Sequence, residues 1–312
     1  MNNVHILDAR INDIINSEYG FFLNKSNILG VGLGYKVKNG FSTCQKCIKV
    51  FVTTKLSQNQ LSCQDLIPSQ YKGILTDVTE VGYFKFQLLN RKVRPIICGY
   101  SIGPNVTEYY KNVGSIGCLV KDKENQEYLL SSAHVITALN KIPLGTDVVQ
   151  PSLYDMGMEG GEIGKLSKYI PLKQEEIFLK TSNFVDAAII KLNSGEAALS
   201  DIAFLGKPTG VDTAALKDVV FKVGRTSEET SGIVTAINVT CKIPFNDGKK
   251  LNKYIFKNQI MTTKMSSDGD SGASLLKSNK KVVGLLIGST ESNTIYNNIQ
   301  NVLDELNVEI VL

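Results

Sequence analysis

Between about residue 95 and about residue 294 the chain is a succession of short Val- and Ile-rich runs. Turns containing Gly, Asn and Ser separate them at a spacing of roughly ten residues. Few residues are needed to cross a sheet, whereas a helix needs a longer stretch repeating every three to four. This rhythm predicts a strand-rich region built as a sandwich or barrel. With 312 residues and a hydrophobic fraction of 43%, the chain can bury a core, and its length suggests two domains.

The two ends have a different pattern. Val4, Leu7, Ile11, Ile14 and Ile15 fall at helical spacing, which predicts an amphipathic helix from residue 4 to about 24. The alternating glycines of Ile28-Leu29-Gly30-Val31-Gly32-Leu33-Gly34-Tyr35-Lys36-Val37 predict a strand closely approached by another backbone. They do not close the spacing of a phosphate-binding loop. Ile48–Val52 and Thr76–Phe84 read as further strands, and Leu61–Tyr71 as holding a short helix around Pro68. Residues 1–93 are thus expected to form a small α+β domain. The basic, proline-containing Arg91-Lys92-Val93-Arg94-Pro95 marks a boundary, with a second domain over 94–312. Ile295, Ile299, Val302, Leu303 and Leu306 predict a helix near the C-terminus, followed by an extended Val308–Leu312.

Composition removes several functions. The net charge of +4 is spread along the chain, and its densest clusters, Arg91–Arg94 and Lys249-Lys250, read as loops, so no nucleic acid partner is expected. The longest apolar runs, such as Val282–Ile287, fall far below the roughly 20 residues that span a bilayer, so no membrane partner is expected. Met1–Asp8 lacks the basic and apolar pattern of a secretory signal, which points to a cytoplasmic protein. The six cysteines are expected to be free thiols in a reducing compartment. Cys44 and Cys47 have metal-ligand spacing, but no second pair completes a site. They read as part of a hairpin connection, and neither a metal nor another cofactor is expected.

The chemistry concentrates in three segments. Gly269-Asp270-Ser271-Gly272 places a serine in a tight turn whose glycines allow backbone angles that other residues resist. His134, in Ser131-Ser132-Ala133-His134, follows a strand and small residues that let the chain turn. The only other histidine, His5, lies in the predicted N-terminal helix. Asp186 interrupts the apolar Phe184–Ile190, and a carboxylate is costly to bury without a partner. A serine hydroxyl is a weak nucleophile until a base takes its proton and a third group orients that base. Ser271, His134 and Asp186 are therefore the candidate catalytic residues, with the amides of Gly269 and Ser271 as a candidate oxyanion hole. The chain order His, Asp, Ser differs from the subtilisin order and from that of α/β-hydrolases.

On Ser132-Ala133-His134, Val185-Asp186-Ala187-Ala188, Gly269-Asp270-Ser271-Gly272 and Val283–Ser289, residues from about 95 to 312 resemble the chymotrypsin (trypsin-like) serine proteases. The resemblance implies two six-stranded β-barrels with the active site between them, and the C-terminal helix read from its spacing is expected to pack on the barrel. Gly30–Lys36, Thr76-Asp77-Val78, Gln150-Pro151, Lys222-Val223-Gly224-Arg225-Thr226 and Val302–Leu306 look like a bacterial intracellular branch related to the plant Narrow Leaf 1 proteases. The implied activity is a serine endopeptidase acting on a protein or peptide substrate. An activating or regulatory partner would act through the N-terminal domain. The alternative is a latent or inactive protease fold retained for protein binding.

By the same resemblance, Met265, six residues before Ser271, sets the charge preference of the substrate pocket, with Gly288 and Ser289 near its wall. A methionine cannot neutralise a substrate lysine or arginine, so a small or apolar residue is expected before the cleaved bond. In animal members a freshly cut N-terminus locks the aspartate before the serine. Here an arginine–proline bond, Arg94-Pro95, stands where such a cut would fall and is a poor protease substrate. Asp270 is accordingly expected to find an internal donor, or the active-site loop to be ordered by some other signal.

Overall fold

The structure is a computed structural model. It describes residues 2–38, 40–82, 89–157, 160–175, 181–246 and 251–312, without the side chains of 2–5 and 58. The chain divides into two compact units, Met1–Phe86 and Gln87–Leu312.

In the first unit the predicted helix is two helices, Asn2–Ser17 and Tyr19–Leu23, interrupted at Glu18. They cover a four-stranded sheet in the order Ile28–Lys38, Phe41–Val52, Ile74–Glu80, Gln70–Tyr71. Ile11, Ile14 and Phe22 pack on Ile48, Val50 and Ile74. Burial on this scale contributes about 1.5–3 kcal/mol for each large apolar side chain.

Three expectations for this unit change. The alternating glycines are approached by side chains, not by another backbone. A Cβ on Gly32 would stand 3.4 Å from the Phe51 ring, and one on Gly34 2.7 Å from Lys49 Cγ. Cys44 and Cys47 lie within the second strand, Cys44 exposed and Cys47 buried, and not in the connection before it. The segment 61–71 holds no helix around Pro68; a single 3-10 turn falls earlier, at Gln58–Gln60. The third predicted strand ends at Glu80, and its predicted Tyr83-Phe84 end lies outside the described residues.

The second unit holds two strand systems. The first runs Glu309–Ile310, Leu119–Lys121, Glu127–Ser131, Ala188–Leu192, Glu162–Tyr169, Asp147–Val149, Ser101–Pro104, Gly114–Ser115. Gly114–Ser115 and Leu119–Lys121 belong to one stretch, and Ile116 and Gly117 donate to Tyr100 and Leu130 on either side of it. The sheet therefore meets itself and closes. In the second system Val219–Gly224, Glu228–Asn246, Leu251–Thr263, Ser274–Lys277, Lys281–Ser289 and Asn293–Asn298 pair in a ring, closed between the last two. Two six-stranded barrels result, each edge joined to another strand, which removes most unpaired backbone groups.

The C-terminal helix is shorter than its apolar repeat suggested. Ile295 belongs to the strand Asn293–Asn298, and the Asn298 side chain caps the helix Ile299–Leu306. Ile299, Val302, Leu303 and Leu306 bury one face of that helix in the core of the unit. Arg91–Arg94 is held by Gln150, which accepts from Val93 N–H (3.0 Å) and Arg94 Nη1 (2.7 Å) and donates to Arg91 O (2.8 Å). The Lys249-Lys250 pair lies outside the described residues.

Candidate active site

His134 sits in the short helix Ala133–Ile136, after the strand Glu127–Ser131. The small residues before it do more than turn the chain. Ser131 Oγ donates to Ser115 O (2.9 Å), and Ser132 Oγ donates across to Leu286 O of the other barrel (2.9 Å). Asn112 Nδ2 donates to Val135 O (3.1 Å) and steadies the same turn. Asp186 does not lie in a strand but two residues before Ala188–Leu192.

Asp186 is fully buried, and both of its oxygens face His134. Oδ1 accepts from the His134 backbone N–H (2.8 Å), and Oδ2 is hydrogen-bonded to the ring Nδ1. That pairing leaves Nε2 free to accept a proton. Asn297, also fully buried, pins Asp186 from behind. Its Oδ1 accepts from Asp186 N–H (2.9 Å), and its Nδ2 donates to Asp186 O (3.3 Å) and Leu285 O (3.1 Å).

Ser271 stands in the turn between Leu251–Thr263 and Ser274–Lys277 of the second barrel. The turn is docked on the first barrel: Ser115 N–H donates to Ser271 O (2.8 Å), and Ser115 Oγ to Gly269 O (3.1 Å). Gly272 has φ +90°, and a Cβ there would meet Ser131 Oγ at 2.5 Å and Ser115 O at 2.6 Å. Only glycine fits.

Gly269 has φ +94°. Thr226 Oγ1 donates to Asp268 O (2.6 Å). Across a trans peptide the N–H points opposite the carbonyl, so the Gly269 amide is turned away from Thr226. Among the described residues neither the Gly269 nor the Ser271 amide donates to a protein acceptor.

The Ser271 hydroxyl donates to Ile287 O (2.9 Å) and not to the His134 ring. The structure thus brings His134 and Asp186 into direct contact, and it does not bond Ser271 to them.

Asp270 is fully buried beside Ser271. Oδ1 accepts from the N–H groups of Thr226 (2.8 Å) and Ser227 (3.1 Å). Oδ2 accepts from Ser267 N–H (2.9 Å), Ser227 Oγ and the buried Lys222 Nζ (3.0 Å). Burial pushes the Asp270 carboxyl up, but the Lys222 ammonium and the bonds from Ser227 and Ser267 outweigh it and hold it below the usual carboxylate range. Lys222 is the internal donor expected for Asp270. Its signal in the sequence is the one that exposed Asp186: a charge inside an apolar run, Val219-Val220-Phe221-Lys222-Val223.

Arg225, three residues on, binds Asp155 of the first barrel through Nε (2.8 Å) and Nη2, and its ring of contacts includes Thr226 Oγ1 (3.0 Å). Side-chain hydrogen bonding to Asp155 raises the Arg225 pKa. Sequence reasoning passed over Lys222, Arg225, Asp155 and Asn297 as site residues.

Met265 is buried in the second barrel's core, with Val220, Val234 and Leu286. Thr294 stands directly opposite Ser289 in the paired strands and is fully buried. Its Oγ1 accepts from Met265 N–H (3.0 Å) and lies 3.0 Å from Ser266 Oγ. Gly288, beside Ser289, has nothing within 4 Å of an added Cβ.

Among the described residues there is no metal-ligating cluster, all six cysteines are free, and no helix is long and apolar enough to cross a membrane.

No family model matches the chain, and no curated protein matches it. Solved structures do. Nocardiopsis protease (NAPase) superposes with a TM-score of 0.50 at 17% identity, over 70% of this chain and 99% of that one. A glutamic-acid-specific serine protease, which uses a histidine triad in substrate binding, superposes with a TM-score of 0.50 at 20% identity, over 69% of this chain and 100% of that one. The fold is the chymotrypsin-like double β-barrel seen in such serine proteases.

Proposed function

We propose that the chain is a serine endopeptidase. One observation carries this reading: a buried Asp186 holds His134 through Nδ1, beside a nucleophile turn with two unused amides. Ser271 Oγ attacks the substrate carbonyl carbon while His134 Nε2 takes its proton. The amides of Gly269 and Ser271 bind the oxyanion. His134 then gives the proton to the leaving amine, and an acyl-enzyme remains. Water attacks it with His134 again as base, releasing the acid and restoring Ser271.

Before this, the Ser271 hydroxyl must leave Ile287 O. The strand Lys281–Ser289 is paired with Ser274–Lys277 only as far as Leu285, so its edge at Ile287–Ser289 is open. A substrate added there as an antiparallel strand donates its own N–H to Ile287 O. Substrate binding thereby displaces the hydroxyl towards His134, and a χ1 rotation between staggered rotamers completes the triad.

The buried Thr294, Ser266 and Met265 bond together beside Ser289, which supports a small or apolar residue before the cleaved bond. The free cysteines support a reducing, cytoplasmic setting. The roles of Lys222, Gly224 and Thr226 around Asp270 support the likeness to the bacterial intracellular branch. Exposed Leu33, Tyr35 and Val37 along the edge strand of the N-terminal unit support a protein partner there, in regulated proteolysis.

The alternative, a latent or inactive fold used for binding, draws on the Ser271 bond to Ile287 O. Peptide-library cleavage by the full chain, with Ser271→Ala as control, tests the reading. Cuts absent from the control support the protease. A folded wild type that neither cuts nor reacts with an active-site fluorophosphonate sinks it.

A further inference from the structure

Gly269 supplies one of the two amides assigned to the oxyanion, yet its own backbone does not decide where that amide points. Glycine adopts positive and negative φ at little difference in cost. The Asp268–Gly269 peptide is therefore free to turn over, which would swing Asp268 O into the place of the N–H. A carbonyl oxygen there repels the negative charge that the amide has to receive. A group outside residue 269 must choose between the two orientations.

Two hydroxyls bracket this glycine. Thr226 Oγ1 donates to Asp268 O (2.6 Å), and Ser115 Oγ donates to Gly269 O (3.1 Å). Arg225 aligns both. Its Nη1 donates to Thr226 Oγ1 (3.0 Å), and its backbone N–H donates to Ser115 Oγ (2.9 Å). A hydroxyl that accepts from Arg225 keeps its single proton for the carbonyl. The packing is close: a Cβ on Gly269 would lie 2.5 Å from Thr226 Oγ1 and 3.4 Å from Arg225 Nη1.

Arg225 is itself anchored on the first barrel. Asp155 accepts from its Nε (2.8 Å) and Nη2, and the Tyr154 ring lies against the guanidinium, 5.4 Å from the ring centre. Two parallel bonds fix the plane of a guanidinium, so the remaining Nη1 has a set direction. Asp155 ends the 3-10 turn Leu153–Asp155, and its Oδ2 also accepts from Ser101 Oγ (2.6 Å) and Ser152 Oγ (3.2 Å). The contacts thus run unbroken from the first barrel through Asp155, Arg225 and Thr226 to the peptide that carries the Gly269 N–H.

We propose that Thr226 is a positioning residue for the Gly269 amide. Aligned by Arg225 and anchored through Asp155, its hydroxyl holds the Asp268–Gly269 peptide in the one orientation that turns the N–H towards the oxyanion. The inference rests on the protease reading and names what presets one of its oxyanion donors.

Steady-state cleavage of a peptide by the full chain tests this, with kcat and KM read separately for wild type, Thr226→Ala and Thr226→Ser. The Thr226 N–H is bonded to Asp270 Oδ1 (2.8 Å), which holds the backbone in place when the side chain changes. An interaction made in the transition state alone lowers kcat and leaves KM where it was. Thr226→Ala is expected to lower kcat by roughly tenfold to a hundredfold at unchanged KM, approaching the usual cost of one lost oxyanion donor, and Thr226→Ser to stay within about threefold of wild type. Thr226→Val keeps the volume, carries the same expectation and replaces Thr226→Ala if that variant does not fold. An unchanged kcat in the folded alanine or valine variant, a raised KM with kcat kept, or a serine variant as slow as the alanine one overturns the inference and leaves the protease reading standing. Should wild type neither cleave nor react with a fluorophosphonate, the protease reading fails and takes this inference with it.

Discussion

Lys222 Nζ lies 3.0 Å from Asp270 Oδ2, and both side chains are wholly buried. Two opposite charges in such a place stabilise only as a pair. Lone, either one is an uncompensated charge in a medium of low polarity. The pair ties the strand Val219–Gly224 to the residue before Ser271, so its effect reaches the turn that carries Ser271.

Lys222→Met removes the cation and leaves the Asp270 carboxylate unpaired. It is expected to lower unfolding free energy by about 3–5 kcal/mol, the usual cost of breaking a buried pair. Urea unfolding of the wild type and variant checks this. A loss under 1 kcal/mol would mean that the hydrogen bonds from Thr226, Ser227 and Ser267 suffice.

The same site sets a pH dependence. Folding depresses the Asp270 carboxyl. Its contribution is therefore fully present above the unfolded Asp value of about 3.9 and is lost as pH falls through the lower folded value. Tm measured from pH 7 down to pH 3 is expected to show wild type well above Asp270→Asn near neutrality, with the gap closing only at the acid end. A gap that stays constant with pH contradicts the assignment.

Gly272→Ala tests the docking of the turn. Its φ of +90° and the backbone oxygen of Ser115, which would lie 2.6 Å from the new Cβ, leave no room to relax. Destabilisation by more than about 1 kcal/mol is expected, together with loss of peptide cleavage. A variant as stable as the wild type would show that the turn is looser than this geometry.

For the substrate pocket, Thr294→Gly opens the floor beside Ser289 and Met265. Its kcat/KM ratio for Phe over Ala at the residue before the cleaved bond is expected to rise roughly tenfold or more. No change in that ratio would place the pocket elsewhere.

The core of the site was legible in the sequence because its chemistry tolerates few residue types. A serine between glycines, a histidine after small residues and an acid in an apolar run each stand out locally. Their supports were less visible. Lys222 carried the same signal as Asp186, a charge where burial is expected, and could have been found by it. Asn297 gives no such signal, since a neutral amide in a strand costs little until its partners are known. Asp155 and Arg225 become informative only when the barrels bring them together. The hairpin of Glu228–Asn246 and Leu251–Thr263 was hidden by its own alternation, which matches the short strands around it. Asn246-Asp247-Gly248, a strong hairpin sequence, is its one local clue. The C-terminal helix was drawn too early because Ile295 continues the helical repeat while its backbone pairs as a strand.

The proposed function depends on Ser271 being a nucleophile activated by His134. Mass-spectrometric timing of fluorophosphonate attachment to the folded full chain measures this directly, in wild type, Ser271→Ala and His134→Ala. A single adduct on Ser271 is expected in wild type, none in Ser271→Ala, and a rate lower by roughly a hundredfold or more in His134→Ala, in line with the usual contribution of a general base. Attachment to Ser271 at the same rate with and without His134, or no attachment to the folded wild type, would contradict it.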